Sequence, residues 1–535
     1  MLEQPKMDDS TLAKRVITRN KQLRGMPRET WEHHWYEVLF YTVPRKDDVF
    51  YQDWPGTKKG QKVYDSTAIL SNEFLAGALH SMLTSPNQHF FGLSTGDEIL
   101  DDRHDVREWL ESVTRIIHDT LNSSNFQTEM HELYLDMGSV GTSCMDIEED
   151  DEVDVRFHTR SIREIAVSEN NKGIVDTVYR DFEMTVRNII EEFGEDVVPE
   201  PLMKTAHTEP ERKYKIIHAV EPNKPQIPGV PKNRDYRSIY VLLEPETILR
   251  KGSFESFPYV VPRWTKTTGE VYGRSPGMKA LPDIKMINQM MKTVIQAAQK
   301  TVDPPLMVPD DGFVLPVKTR PGGINYRRAG IQDRIEPFAN DARVDFGYQV
   351  MEDIRNRIRE AYFVDQMQLT QGAAMTATEV MQRTEERMRL LGPMLGRQQS
   401  ELLKPLVERV FNIMVKKNRF PEAPEVLQDR ELKVEYVSLV AKAQRAAEAQ
   451  NFMRALEILM PLTQIDPSVM DNLDLDSVYV FISKTLGLPA KVSRSDEERD
   501  EMREQRAQAE AQAAEQQSML ANSQAAGNLE GMVNG

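Results

Sequence analysis

The sequence predicts an α+β fold that is mainly helical, and three observations support this prediction. Apolar residues recur at helical spacing through most of the first 138 residues and again from about residue 279 onward. Residues 139–270 consist of short β-branched or alternating runs between turn residues, which is typical of an antiparallel sheet. The chain of 535 residues also exceeds the size at which one hydrophobic core stops growing, so we expect two or more packed units.

Five helices are predicted before the sheet region, over residues 10–24, 28–42, 67–83, 102–121 and 125–138. The second helix carries Trp31 and Trp35 at helical spacing and ends before Pro44. The third lies in "YDSTAILSNEFLAGALHSMLTSP" and ends at its Ser-Pro pair. Within the sheet region we expect a helix at 185–193 and an exposed, proline-rich insertion at 196–235.

Two long helices are predicted around a compact connecting segment. Residues 279–302 place Leu281, Ile284 and Ile287 on one stripe, and the lysines lie mostly away from that stripe: Lys285, Lys292 and Lys300. Residues 342–363 repeat the pattern. The segment between them, 303–341, holds six prolines and four glycines, and its stretch "LMVPDDGFVLPV" predicts a small hairpin that turns at an Asp-Gly pair.

The C-terminal part is predicted to begin with a loop and to continue as helices. The stretch "VDQMQLTQGAAM", residues 364–375, has no charge after Asp365 and predicts a flexible loop. Thr376–Glu379 is a capping box that begins a helical stretch to about residue 418, which Gly392-Pro393 and Pro405 must bend or divide. Further helices are predicted at 436–460 and 476–486, and a solvated helix from Ser493 that frays into a disordered tail.

The pentapeptide Gly273-Arg-Ser-Pro-Gly277 has two interpretations. It matches the G-x-S-x-G nucleophile elbow of an esterase, with Ser275 as the nucleophile. In such an enzyme the residue after the nucleophile supplies a backbone N–H to the oxyanion hole, and Pro276 has none. Proline fits the first position of a helix that is capped by the preceding serine, so we expect Ser275 to be an N-cap rather than a nucleophile.

No metal site or cofactor is predicted. An EF-hand loop that begins at Asp146 would need glycine at 151 and glutamate at 157, where the chain has Asp151 and Phe157. The stretch "GTKKGQK" has the wrong spacing for a phosphate-binding loop, and no H-E-x-x-H occurs. The acidic run at 146–154 therefore predicts a solvated hairpin tip.

Composition limits the classes of function. A net charge of −17 argues against a protein that coats nucleic acid with a broad basic face. The one cysteine, Cys144, excludes an intramolecular disulfide framework. Because no signal peptide or membrane-spanning run is present, we expect an intracellular, soluble chain or assembly with no membrane partner. One basic cluster is either an exposed loop surface or a docking face: Lys318, Arg320, Arg327, Arg328 and Arg334.

The order of these segments resembles the head-to-tail connector, or portal, proteins of short-tailed bacteriophages related to T7. The resemblance rests on the Trp31/Trp35 helix, on "YDSTAILSNEFLAGALHSMLTSP" followed by "HFFGL", and above all on "VYGRSPGMKALPDIKMINQMMKTVIQAAQKTVDPP". It covers nearly the whole chain but includes no catalytic signature. The resemblance therefore implies a structural protein and no enzyme.

The resemblance implies a portal-type fold with wing, stem, clip and crown, assembled as a dodecameric ring at one capsid vertex of the virion. The regions it implies are a wing at 1–275 and 376–430, stem helices at 276–302 and 342–363, a clip at 303–341, a tunnel loop at 364–375, a crown at 431–492, and the solvated helix and disordered tail at 493–535. The tunnel-loop residues expected to face passing double-stranded DNA are Gln366, Met367, Gln368, Leu369, Gln371, Gly372 and Met375.

Several partners follow from the same resemblance. They are the terminase large subunit, tail adaptor and tail tube proteins, scaffolding and major capsid proteins, and internal core proteins, with assembly in the bacterial cytoplasm. Two other functions stay open at this point. One is a tail adaptor ring protein, and the other is a serine hydrolase that uses Ser275.

Overall fold

The computed structural model describes residues 8–50, 54, 56–87, 89–224, 230–231, 234–308, 314, 316–319, 324–326, 330, 335–337, 344–367, 392, 394–427, 433–435, 452–459, 461, 473–486, 488, 492–494 and 496–533. The chain divides into two compact units. Unit 1 comprises residues 1–84, 126–148 and 157–405, and unit 2 comprises residues 85–125, 149–156 and 406–535. The expectation of more than one packed unit is confirmed.

Most of the described helices lie at predicted positions, with ends that differ by a few residues. They are α1 (Asp9–Leu23), α2 (Met26–Thr42), α3 (Thr67–Leu83), α4 (Glu98–Asp101), α5 (His104–Ser123), α6 (Phe126–Val140), α7 (Val186–Phe193), α8 (Glu200–Thr208), α9 (Pro276–Val302), α10 (Val344–Ala361), α11 (Val364–Met367), α12 (Lys404–Lys416), α13 (Leu475–Leu486) and α14 (Asp496–Val533). A π-helical turn, Gln399–Leu403, precedes α12. The predicted break at Pro405 is confirmed, because proline has no N–H to donate to the preceding turn.

The strands are β1 (Gly92–Ser94), β2 (Cys144–Asp150), β3 (Asp154–Arg160), β4 (Ile165–Glu169), β5 (Val175–Thr185), β6 (Lys213–Pro222), β7 (Tyr236–Leu242), β8 (Thr247–Phe254), β9 (Tyr259–Val260), β10 (Leu306–Met307), β11 (Glu336–Pro337) and β12 (Lys433–Glu435). Strands β4 to β8 form a five-stranded sheet in sequence order, and every pair is antiparallel. A three-stranded sheet has the order β3-β2-β9. The predicted sheet region is confirmed.

The core of unit 1 lies on both faces of the five-stranded sheet. Because side chains alternate along a strand, Ile217 and Val241 point to one face and Ile216 and Leu242 to the other. Leu12, Val16 and Ile17 of α1 cover the first face. The second face is covered at one end by α7 and α8 and at the other by a cluster that includes Trp35, Val38, Cys144, Tyr259, Met278 and Leu281. The beginning of α9 is therefore part of the unit 1 core.

Unit 2 joins helices to a small sheet. Strand β1 pairs antiparallel with β12, and α5 packs against β1. The indole Nε1 of Trp109 donates to the carbonyl of Pro421 at 3.0 Å. At the end of α12, Lys416 pairs with Glu149 and Arg419 with Asp154, at 2.7 and 2.8 Å. These basic side chains neutralise the acidic hairpin tip.

Four local predictions are wrong. Residues 196–235 are not an exposed insertion, because they contain α8 and the central strand β6, and Leu202 is buried. Leu306–Met307 do not pair within a local hairpin, since β10 pairs with Glu336–Pro337. Residues 364–367 form the helical turn α11 and not a loop. The C-terminal segment is helical through Val533 rather than a disordered tail, in keeping with its alanine and glutamine content.

Candidate functional site: the base of the stem hairpin

Helices α9 and α10 pack against each other. We call this pair the stem hairpin, after the region that the resemblance implies. Its base begins at Ser275, the N-cap of α9. The Ser275 Oγ accepts a hydrogen bond from the Met278 N–H at 2.9 Å and donates one to the Ser139 carbonyl at 2.5 Å. Ser275 is only 4% exposed. Its hydroxyl therefore has both a donor and an acceptor partner inside the fold, and the predicted N-cap is confirmed.

The chain crosses itself closely just before this cap. A Cβ atom on Gly273 would lie 2.3 Å from the carbonyl oxygen of Gly141, and Gly141 has φ +77°. The Gly273 N–H donates to Thr142 Oγ1 at 2.7 Å, and the Trp264 N–H donates to the Gly141 carbonyl at 2.9 Å. Three segments therefore meet at distances that only glycine permits. Gly273, the first glycine of the pentapeptide, therefore permits this crossing.

The two helices of the hairpin also meet through Gly277 and Tyr362. Tyr362 is fully buried, and its hydroxyl lies where a Cβ on Gly277 would come within 2.8 Å. Farther along, Arg355 of α10 pairs with buried Asp65 at 2.9 Å, and Arg357 pairs with Asp283 of α9 at 3.4 Å. The base of the hairpin is thus packed and ion-paired on several sides.

The distal half of the hairpin is different, because its apolar side chains are exposed. Ile284 and Ile287 near the base are buried, whereas Ile295 is 38% and Val302 87% exposed. The strand that follows α9 is exposed too, with Leu306 at 39% and Met307 at 52%. The apolar stripe that the sequence predicts therefore continues beyond the surface that unit 1 can bury.

The three stem lysines differ in their surroundings. Lys285 pairs with Glu37 of α2 at 2.8 Å, and both side chains are about half exposed. Lys292 is half-buried and Lys300 is exposed near the end of α9. Neither has an ion-pair partner among the residues that the structure describes. The three lysines lie on one helix but do not form one cluster.

Only part of the predicted tunnel loop is described. Gln366 and Met367 lie in α11, and the Gln366 Oε1 is buried without a hydrogen-bond partner among the described residues. Phe363, immediately before α11, has φ +59°, an unusual backbone conformation for an aromatic residue. The other predicted residues lie outside the described part of the chain: Gln368, Leu369, Gln371, Gly372 and Met375.

The predicted basic cluster is described only at Lys318. This residue is exposed, and its backbone N–H and carbonyl both bond to the side-chain amide of Asn325, at 2.6 and 2.9 Å. The remaining members lie outside the described residues: Arg320, Arg327, Arg328 and Arg334. Both interpretations of this cluster therefore stay predictions.

Sequence reasoning missed the most connected side chain of this region, Arg263. Its guanidinium is 1% exposed and bonds to Glu169 and Glu401, each at 2.8 Å. It also donates to the carbonyls of Val271 and Gly173. Burial alone would lower the pKa of Arg263, but the hydrogen bonds and charges of Glu401 and Glu169 outweigh burial and raise it. Because these partners come from distant parts of the chain, no local sequence signal could have identified the network.

Within the described ranges, no group of three or more His, Cys, Asp or Glu side chains is placed to hold a metal ion. Asp146, where an EF-hand loop would begin, is instead buried and pairs with Arg160 at 3.1 Å. Across the same part of the chain, no helix has both the length and the apolar character needed to cross a bilayer.

Comparison with known proteins identifies the family of the chain. A family model described as "Bacteriophage head to tail connecting protein" matches residues 13–493. The "Probable portal protein" of Bordetella phage BPP-1 is 32% identical over 493 residues, which cover 90% of this chain and 89% of that protein. The "Portal protein" of Salmonella phage epsilon15 is 31% identical over 508 residues, which cover 92% and 91%. This chain belongs to the family of bacteriophage head to tail connecting proteins.

Proposed function

We propose that the chain is one subunit of a portal ring at a capsid vertex of a bacteriophage virion, through which double-stranded DNA is packaged and later ejected. The observation that carries this proposal is the uncovered apolar surface of the distal stem hairpin. Identical subunits joined head to tail close into a ring with a central hole, and each would cover the exposed stripe of its neighbour. The resemblance implies a dodecamer.

Charge supports the same proposal. A channel for DNA must let phosphates slide, and each basic side chain that binds a phosphate adds affinity and salt dependence. The chain has a net charge of −17. An acidic ring that encloses DNA without holding it fits this balance.

The regions predicted from the sequence become proposals here. The proposed stem is α9 with α10, the proposed clip is 303–341, and the proposed crown is 431–492. The basic cluster of the clip would dock the terminase large subunit and then the tail adaptor and tail tube proteins. Scaffolding, major capsid and internal core proteins would contact other faces, and assembly would take place in the bacterial cytoplasm.

We also propose that residues 364–375 contact the passing DNA. Neutral side chains can touch the duplex without releasing counterions, so such contacts resist sliding only weakly and sterically. Deleting Gln366 to Ala373 should leave folding and ring assembly intact while packaged DNA is lost more readily. Particles that fill and retain their genomes like wild type would contradict this assignment.

The proposed role is structural rather than enzymatic. Ser275 is a buried cap with both hydrogen-bonding capacities used, and Pro276 has no N–H for an oxyanion hole. The names of both relatives favour a portal over a tail adaptor ring. No described feature favours the hydrolase alternative.

Ring formation can be tested on the purified full chain. Native mass measurement with negative-stain imaging should show a ring of identical subunits with a central hole. Replacing Ile295 and Val302 with glutamate should prevent assembly while circular dichroism stays unchanged, because two charges then lie in the proposed interface. The matched control is Gln289→Glu, which adds a charge at an exposed polar position of the same helix. A wild-type protein that stays monomeric at micromolar concentration would refute the proposal.

A further inference from the structure

Residues 362–366, from the end of α10 into α11, contain three unfavourable features. Phe363 has φ +59°, a left-handed conformation that non-glycine side chains rarely adopt. The Tyr362 hydroxyl is buried without a hydrogen-bond partner among the described residues, and so is the Gln366 Oε1. Buried polar atoms are nearly always paired in native proteins. This turn is therefore held in its present form by other contacts.

Trp264 supplies such a contact. Its indole lies 6.1 Å from the Phe363 ring, centroid to centroid, and the side chain is 6% exposed. The Trp264 backbone is fixed in turn, because its N–H donates to the Gly141 carbonyl at 2.9 Å. Strained backbone persists only where the surroundings fix it strongly. Trp264 is positioned to hold the backbone of Phe363 in its left-handed conformation.

Arg263, the residue before Trp264, contacts a different helical segment, residues 394–403. The Arg263 carbonyl accepts from Gln398 Nε2 at 3.0 Å, and its guanidinium bonds to Glu401 in the π-helical turn. The neighbouring residues 263 and 264 thus hold both the end of α10 and the helical segment 394–403. Because residues 263 and 264 are adjacent in the chain, a displacement of the end of α10 would also displace the segment 394–403, and the reverse.

We propose that Arg263 and Trp264 form a clamp that positions the end of the stem hairpin. Trp264 holds the strained turn at Phe363, Arg263 ties the clamp to residues 398–401, and α11 moves about Phe363 when Trp264 is displaced. Arg263 and Trp264 are positioning residues, since neither is proposed to touch DNA. The inference deepens the proposed function, because it assigns a movable end to the proposed second stem helix.

Hydrogen exchange on the purified full chain tests the clamp. Trp264→Leu should raise exchange of the amides of residues 362–367 by about tenfold, while amides of residues 348–358 stay unchanged. Asparagine tolerates the left-handed conformation better than phenylalanine does, so Phe363→Asn added to Trp264→Leu should restore most of the lost protection. A tryptophan with a merely structural role would give no such rescue.

The matched control is Trp31→Leu, because the Trp31 ring lies in unit 1 but packs on Trp35 and Tyr272. This variant should leave exchange at 362–367 unchanged. Equal effects of both tryptophan variants, no effect of Trp264→Leu, or no rescue by Phe363→Asn would each overturn the clamp. If Trp264→Leu does not fold, Trp264→Phe replaces it, and a rise confined to 362–367 supports the clamp while its absence overturns it. The exchange measurement needs no ring, so failure of ring assembly would refute the proposed function and leave this test valid.

Discussion

The Tyr362 hydroxyl at the end of α10 occupies the space above Gly277 at the beginning of α9, where a Cβ atom would lie only 2.8 Å away. The same Cβ would lie 3.0 Å from Val38 Cγ1 and 3.1 Å from the Ser139 carbonyl oxygen. Gly277 is therefore needed for its size. The contact joins the beginning of α9 and the end of α10 to the core of unit 1.

Gly277→Ala should destabilise the fold by about 1–3 kcal/mol, because the added methyl group overpacks this junction. Tyr362→Phe in the same background should recover part of the loss by removing the closest atom. Urea unfolding measures both effects. The matched control is Gly77→Ala, an exposed position in α3 with nothing within 4 Å, where alanine should stabilise by about 0.5–1 kcal/mol. Equal effects at the two glycines would contradict the steric argument.

Ser275→Ala should cost about 1–2 kcal/mol, because α9 loses its N-cap and the buried Ser139 carbonyl loses its donor. Thr185→Ala is the comparison, since Thr185 caps α7 through one bond to the Asn188 N–H at 3.3 Å and should cost about 1 kcal/mol or less. Thermal unfolding of both variants gives the difference. Ester hydrolysis that disappears with Ser275→Ala would show that the hydroxyl is more than a cap.

Arg263→Met should destabilise the chain by about 3–5 kcal/mol, because the carboxylates of Glu169 and Glu401 lose the buried charge that pairs with them. Adding Glu401→Gln should recover part of that loss, and a double-mutant cycle measures the coupling. Arg274→Met is the matched control. Arg274 pairs with Glu270 at the surface, with 48% of its side chain exposed, and should contribute only about 0–1 kcal/mol. A similar cost at both arginines would argue against the buried network.

Asp65 should make stability depend on pH in the acid range. Burial alone would raise its pKa, but hydrogen bonds from Thr67 and Arg355 outweigh burial and lower it. In the unfolded chain an aspartate carboxyl has a pKa of about 3.9. A lowered folded pKa means that the stabilisation is present above that pH and is lost as pH falls through the folded pKa. The stability difference between wild type and Asp65→Asn should therefore shrink as pH falls below about 4 in urea titrations. A difference that stays constant would contradict the pKa direction.

Reversing the charge of Arg327 and Arg328 to glutamate should leave ring formation intact and weaken binding to the packaging motor or the tail adaptor. The reason is the proposed role of the basic cluster in docking acidic surfaces. The control is the same reversal at Arg187 and Arg212, exposed arginines of unit 1 that lie in or beside α7 and α8. Binding assays at fixed salt concentration compare the affinities of the two double variants for each partner. Unchanged binding to both partners would make the cluster an ordinary loop surface.

The sequence predicts elements with a strong local pattern. The stripe of Leu281, Ile284 and Ile287 gives α9 because it repeats over several turns, and Ser275-Pro276 marks its first residue. The alternation in β5 to β7 similarly predicts the sheet. Helix α8 was missed because Pro199 and Pro201 at its start favour a loop, although proline is also compatible with the first turn of a helix. Strand β12 was missed because its partner, β1, is more than 300 residues away.

The site is less predictable than the fold, since it depends on long-range contacts. Arg263 reads as an ordinary charged residue, and only folding brings Glu169 and Glu401 to it. The close approach of Gly277 to Tyr362 is equally invisible in a linear sequence. The resemblance to portal proteins identified the family because it used the whole order of segments. The resemblance could not identify the side chains whose contacts stabilise the fold.

Cys144 has a practical consequence for studying the assembly. It is the chain's one cysteine, it is fully buried in the unit 1 core, and burial raises the pKa of its thiol well above the ordinary value. Maleimide reagents need an accessible thiolate, so the native protein should stay unlabelled. A cysteine introduced at exposed Lys300 or Lys318 would then carry the only dye on each subunit, without removal of any native thiol. Photobleaching steps from single particles would count the subunits of the proposed ring directly, and energy transfer between neighbouring dyes would report the diameter of that ring.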